Sequence, residues 1–101
     1  MSKRKKLAPV HPGEILKDEL NELHMSGNAL ALALRIPANR VTEIINGRRS
    51  VSADTALRLA RYFGTSAQLW MNLQSHFDLE TAEQAIAARI EAEVRPLRHA
   101  S

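Results

Sequence analysis

The chain has no cysteine. Disulfides and zinc–thiolate sites are thereby excluded, which suits the reducing cytoplasm, the expected location. Aromatic residues are scarce, with two Phe, one Trp and one Tyr in 101 residues. The core must therefore be built from Leu, Ile and Ala, as in a small helical bundle. Gly and Pro number only four each, so where they fall is informative. No apolar run is long enough for a signal peptide or a membrane span. The four histidines, His11, His24, His76 and His99, are scattered, with none at metal-ligand spacing. There is no glycine-rich phosphate loop and no nucleophile elbow. Glu14 with Asp18, and Glu19 with Glu22, have the spacing of helix-surface carboxylates. These absences predict no catalysis, no metal and no cofactor.

What is present suffices for one domain with its own core. Apolar content is 45% and net charge is +3. That basic bias permits nucleic-acid binding without demanding it. Residues 1–10 carry Lys3, Arg4, Lys5 and Lys6 and read as a flexible basic arm, either simply solvated or in contact with phosphate. A first helix is predicted from Pro12, since proline suits the first turn and Glu14 complements the helix N-terminus. Its apolar stripe is Leu16, Leu20 and Leu23, and its acidic face is Asp18, Glu19 and Glu22. Ser26 is the expected N-cap of a second helix running to about Leu34. Arg35-Ile36-Pro37 is a turn, and Pro37 opens a third helix that ends near Asn46-Gly47. Ser52 caps a fourth helix closed by Gly64. Ser66 caps a fifth, with the stripe Leu69, Trp70, Leu73 and Phe77. Asp78-Leu79-Glu80 either breaks that helix or continues it. Thr81 and Gln84 have capping-box spacing, and Leu79, Ala82, Ile86, Ile90, Val94 and Leu97 recur at three and four. This last seam needs a partner surface, either its own bundle or a second subunit.

The stretch Leu30 to Asn46 organises the rest. Leu30, Ala31, Leu34, Ile36, Val41, Ile44 and Ile45 are apolar where a packed helix pair would bury them. The positions between them on the second member of the pair are Ala38, Asn39, Arg40, Thr42 and Glu43. A small pair that presents one polar helix is the layout of a helix-turn-helix. Charge supports it. Arg35 to Arg61 holds six arginines against two acids, whereas Asp78 to the end holds five acids against three arginines. The positive field sits on the proposed reading helix, as counterion release requires. Ala38, Asn39, Arg40 and Thr42 are candidates for base edges. Glu43 either accepts from cytosine or repels misplaced phosphate. Asn46, Arg48 and Arg49, with the backbone N–H groups around Gly27 and Asn28, are candidates for phosphate.

Leu30-Ala31, Leu34, Ile36, Val41, Ile44 and Asn46-Gly47-Arg48-Arg49 resemble the helix-turn-helix of the Xre/Cro repressor family. A narrower resemblance spans Val10 to about Leu79. His11-Pro12-Gly13-Glu14-Ile15-Leu16, Asn46-Gly47-Arg48-Arg49, Asp54-Thr55-Ala56-Leu57-Arg58-Leu59-Ala60, and Trp70-Met71-Asn72-Leu73-Gln74 with Phe77-Asp78-Leu79 are similar to HigA-type antitoxins. The resemblance implies an all-α, repressor-like five-helix helix-turn-helix domain over 11–79, to which the capping box at Thr81 and the apolar seam add an extra C-terminal helix and tail over 80–101. It implies a homodimer, with Leu69, Trp70, Leu73, Phe77 and Leu79 at the dimer contact. It implies binding to an inverted-repeat operator, repression of its own operon, and neutralisation of a HigB/RelE-like mRNA-cutting toxin. The alternative is a stand-alone Xre-family transcriptional regulator without a toxin. Two positions depart from the family pattern. Arg35 stands where the turn usually has glycine, and Gly27 stands where a polar phosphate-gripping side chain is common.

Overall fold

The computed structural model describes residues 8–98, so the Lys3–Lys6 arm lies outside the described residues. Within them the chain forms five helices and no strand: α1 (Pro12–Glu22), α2 (Gly27–Leu34), α3 (Ala38–Ile45), α4 (Ala53–Phe63) and α5 (Ala67–Glu93). Local chemistry sets most of the boundaries. Ser26, Ser52 and Ser66 each accept a hydrogen bond from a backbone N–H in the first turn they cap. Gly64 closes α4 in the left-handed conformation. Pro37 is the N-cap of α3 and provides no side-chain cap, so the helix proper begins one residue later, at Ala38.

The core gathers one face of every helix. Leu16 and Leu20 of α1, Leu30, Ala31 and Leu34 of α2, and Val41 and Ile44 of α3 meet Ala56 and Leu59 of α4 and Trp70 of α5. Each fully buried Leu or Ile contributes roughly 1.5–3 kcal/mol relative to exposure. Leu23 leaves the expected stripe and is half exposed, because α1 ends at Glu22 and His24 turns the chain away with φ 55°.

One expectation about the C-terminal third changes. The segment after Asp78 is no separate helix. Asp78-Leu79-Glu80 lies inside α5, which runs unbroken for 27 residues. Gln74 Nε2 donates to Asp78 Oδ1 at 2.9 Å, and His76 pairs with Glu80 at 3.4 Å, so i,i+4 bonds bridge the expected break. Trp70 is buried in the protomer at 4% exposure, and its Nε1–H donates to Thr65 Oγ1 at 3.0 Å. Among the proposed dimer residues, Leu69 and Leu79 are exposed while Leu73 and Phe77 are half-buried.

Arg35 does take the left-handed conformation of a turn glycine, at φ 62° and ψ 44°. A Cβ in that region costs roughly 1 kcal/mol. Arg35→Gly is expected to raise the melting temperature, by up to roughly 4–8 °C for a domain of this size. An unchanged or lower melting temperature would show that the freedom glycine adds to the unfolded chain cancels the relief.

Candidate nucleic-acid interface

The reading helix α3 buries Val41 and Ile44 and leaves Ala38, Asn39 and Thr42 exposed. Thr42 Oγ1 donates back to the Ala38 carbonyl at 3.2 Å, which turns its methyl group away from that bond. Arg40 is partly covered. Its Nη1 donates to Asp54 Oδ2 at 3.2 Å, tying the reading helix to the first turn of α4. The other oxygen of Asp54 accepts from Arg58 Nε at 2.9 Å. The Arg58 hydrogen bond, followed by the two guanidinium charges and the Arg40 bond, holds the Asp54 carboxyl below the usual carboxylate range. Arg58 Nη1 also donates to the Leu34 carbonyl at 2.8 Å, satisfying a terminal carbonyl of α2 beside the strained turn. One guanidinium thus braces the turn while its carboxylate partner steers Arg40. Neither Arg58 nor Asp54 stands out in the sequence as a site residue. The signal available was the i,i+4 spacing of Asp54 and Arg58.

The phosphate candidates form two groups. Asn46, Gly47, Arg48 and Arg49 follow α3 directly and are all exposed. Gly47 has φ 77°, which lets the chain turn sharply there. Arg49 Nε donates to Glu43 Oε1 at 2.7 Å, so the structure brings two proposed contacts together. Glu43 therefore orients Arg49 along the edge of α3. Both partners are about 40% exposed, so the pair adds little stability and competes weakly with a phosphate. Gly27 and Asn28 open α2 on the other flank of the hairpin, where Ser26 Oγ takes the Ala29 N–H at 3.0 Å. A Cβ on Gly27 would point toward Val41 and Ile45, so a side chain there would be directed at α3.

His11 lies under the Asn46–Ser50 loop. Its Nδ1 accepts from Gly13 N at 2.8 Å, capping α1, and its ring packs edge-on against Phe77 at 4.8 Å. Burial pushes its pKa below 6.5; the charges of Asp78 and Glu14 and a hydrogen bond to the Arg49 backbone oppose that shift. A neutral ring is thus favoured in the folded state. Below about pH 6.5 the unfolded chain takes up a proton that the folded chain resists, so stability falls. Thermal melts are expected to show this decline as pH drops from about 7 toward 5. His11→Asn keeps a capping side chain and should remove most of that dependence. An unchanged pH profile in His11→Asn would assign the decline to other groups.

Among the described residues no group of three or more His, Asp or Glu could hold a metal, and no helix is long and apolar enough to cross a membrane.

A short helix pair with an αL turn, a polar second helix and arginines just past it defines a helix-turn-helix domain. The helix-turn-helix family model matches residues 16–70. An addiction module antidote protein of a HigA family from Coxiella burnetii superposes with a TM-score of 0.88 at 53% identity, over 90% of this chain and 100% of that one. Pseudomonas aeruginosa antitoxin HigA, solved with the higBA promoter, gives 0.86 at 54%, over 89% and 99%. Virulence-associated protein I of Dichelobacter nodosus is 48% identical over 80% of this chain and 76% of its own. The chain belongs to the Xre/Cro-type helix-turn-helix family and, within it, to the HigA-type antitoxins. That family consists of DNA-binding proteins and not of enzymes.

Proposed function

We propose that this protein is the cytoplasmic, DNA-binding antitoxin of a type II toxin–antitoxin module. It represses its own operon by binding an inverted-repeat operator, and it neutralises a HigB/RelE-like mRNA-cutting toxin. The observation that carries the DNA half is the exposed face of α3, where Ala38, Asn39 and Thr42 stand beside an Arg40 held in place by Asp54. Those residue types match the edges of major-groove bases. The similar HigA solved with its promoter supports the same assignment. In this reading Gly27, Asn28, Asn46, Arg48 and Arg49 hold the phosphates on either side.

The dimer is part of the proposal. Beyond Glu80 every described residue of α5 is exposed. Leu79, Ile86 and Ile90 line a groove of about 500 Å³ there, flanked by Glu83 and Glu91. An apolar seam on a helix that leaves its own bundle favours a second copy. Two copies would place two reading helices about 34 Å apart, one turn of DNA. The toxin half rests on likeness to an antidote protein of an addiction module.

An electrophoretic shift with the DNA upstream of its own gene tests the first half. A sequence-specific shift at moderate salt is expected, and its absence overturns the repressor reading. Co-purification with the product of the neighbouring gene tests the second. A chain that shifts the DNA yet captures no toxin would be a stand-alone regulator.

A further inference from the structure

One buried polar side chain lies outside the helix pair and bonds to none of its arginines. Gln74, on the inner face of α5, is 4% exposed. Its Oε1 accepts from the backbone N–H of Val51 at 2.8 Å. Its Nε2 donates to Asp78 Oδ1 at 2.9 Å, one turn further along α5, which fixes which end of the amide faces the loop. Val51 is itself buried and ends the loop that carries Arg48 and Arg49. The start of that loop is held by α3, through Gly47 N to the Ile44 carbonyl at 3.0 Å and Arg48 N to the Glu43 carbonyl at 2.8 Å. Along its length the loop passes the His11 ring, which lies 3.9 Å from the Cβ position of Gly47 and packs on Phe77 of α5. The two arginines thus lie between an anchor on α3 and an anchor on α5.

We propose that Gln74 is a positioning residue for DNA binding: it fastens the Arg48–Arg49 loop to α5 and so fixes the height of both guanidinium groups over the backbone phosphates. The inference rests on the DNA-binding reading above. Its chemistry is that of a buried N–H. Without the Gln74 oxygen, Val51 N–H must find water, and the loop has to lift off α5 to reach it. The arginines then lose a fixed geometry, while the base-reading face of α3 keeps its own supports at Asp54 and in the core. The predicted defect therefore concerns phosphate contacts and leaves sequence discrimination intact.

The test uses the full chain as wild type, Gln74→Met and Asp78→Ala. Met keeps the length of the side chain and removes both hydrogen bonds. Asp78 is exposed, so Asp78→Ala folds even if Gln74→Met does not, and it frees the amide to rotate. Binding to the upstream DNA and to a random duplex is measured over a range of salt, at a temperature where each variant is folded. Amide hydrogen exchange at Val51 is followed in parallel. Gln74→Met is expected to weaken both duplexes roughly fivefold and to reduce the slope of log Kd against log salt by about one, the signature of one lost phosphate contact. Asp78→Ala should weaken both duplexes less, and in both variants Val51 should exchange faster. Unchanged affinities and slopes in the folded variants, with only a lower melting temperature, would reduce Gln74 to a stability role and overturn the proposal. So would a loss confined to the upstream DNA, since that would implicate base reading. If wild type binds neither duplex, the DNA-binding reading itself fails, a result distinct from either of these.

Discussion

Gly13→Ala is expected to unfold the domain or to destabilise it by more than about 3 kcal/mol, beyond the usual range for overpacking. Taken locally the opposite sign is expected. Gly13 is in the first turn of α1, and alanine in a helix is normally favoured over glycine by roughly 0.5–1 kcal/mol. Tertiary packing reverses this. A Cβ on Gly13 would overlap the carbonyl oxygen of Ile44 and lie 2.7 Å from its carbonyl carbon. Those atoms are backbone atoms of α3 and cannot rotate aside. The His11 Nδ1 atom makes a further close contact at 3.0 Å. Relief requires α1 and α3 to separate. Separation would open the core layer that Leu16 and Ile44 share. The check is a thermal or urea melt of Gly13→Ala beside Gly27→Ala. At Gly27 a Cβ meets Val41 and Ile45 at 3.5 and 3.7 Å, ordinary contact distances. Gly27→Ala should therefore be tolerated or mildly stabilising. Equal melting behaviour for the two would mean that α1 and α3 can slide apart at little cost.

That contrast shows which parts of the molecule were legible in the sequence. Helix starts at Pro12, Ser26, Ser52 and Ser66, and the stop at Gly64, depend on neighbours within four residues, so local chemistry reveals them. The polar face of α3 follows from helical periodicity alone. Gly13 is different, because what forbids a side chain there is a carbonyl on another helix. The backbone contacts of Arg58 and Gln74 were illegible for the same reason. Their acceptor and donor on the backbone lie 24 and 23 residues away. Trp70 is ambiguous in another way. A large apolar residue on an amphipathic stripe serves a core or an interface equally well, and the pattern does not say which. The unbroken α5 was ambiguous because Thr81 and Gln84 have the spacing of a capping box and also that of ordinary neighbours on a continuing helix. The i,i+4 bond from Gln74 to Asp78 tips the balance toward continuation.

Arg40→Ala and Arg49→Ala are expected to damage DNA binding in different ways, and the difference follows from how each guanidinium is held. Arg40 projects from the reading helix and has one Nη1 bond to Asp54 at 3.2 Å, which leaves most of its five donors for a base edge. A bidentate arginine–guanine contact carries roughly 1–3 kcal/mol of discrimination. Arg40→Ala should therefore cost about that much on the operator and relax the sequence preference, with little change on random DNA. Arg49 stands beyond the helix end, held by Glu43 at 2.7 Å, and in the proposed function it meets the sugar–phosphate backbone. Arg49→Ala should weaken operator and random DNA alike and reduce the salt slope by about one. Asp54→Asn separates orientation from contact. It removes a carboxylate that in the proposed function lies near DNA phosphate and repels it, yet it also loosens both Arg40 and Arg58. If orientation dominates, Asp54→Asn shows a milder version of the Arg40→Ala loss of discrimination. If repulsion dominates, affinity rises on all DNA. Titrations of the three variants on operator and random duplexes distinguish these results. Equal losses on both duplexes for Arg40→Ala would remove it from base reading and place it among the phosphate contacts.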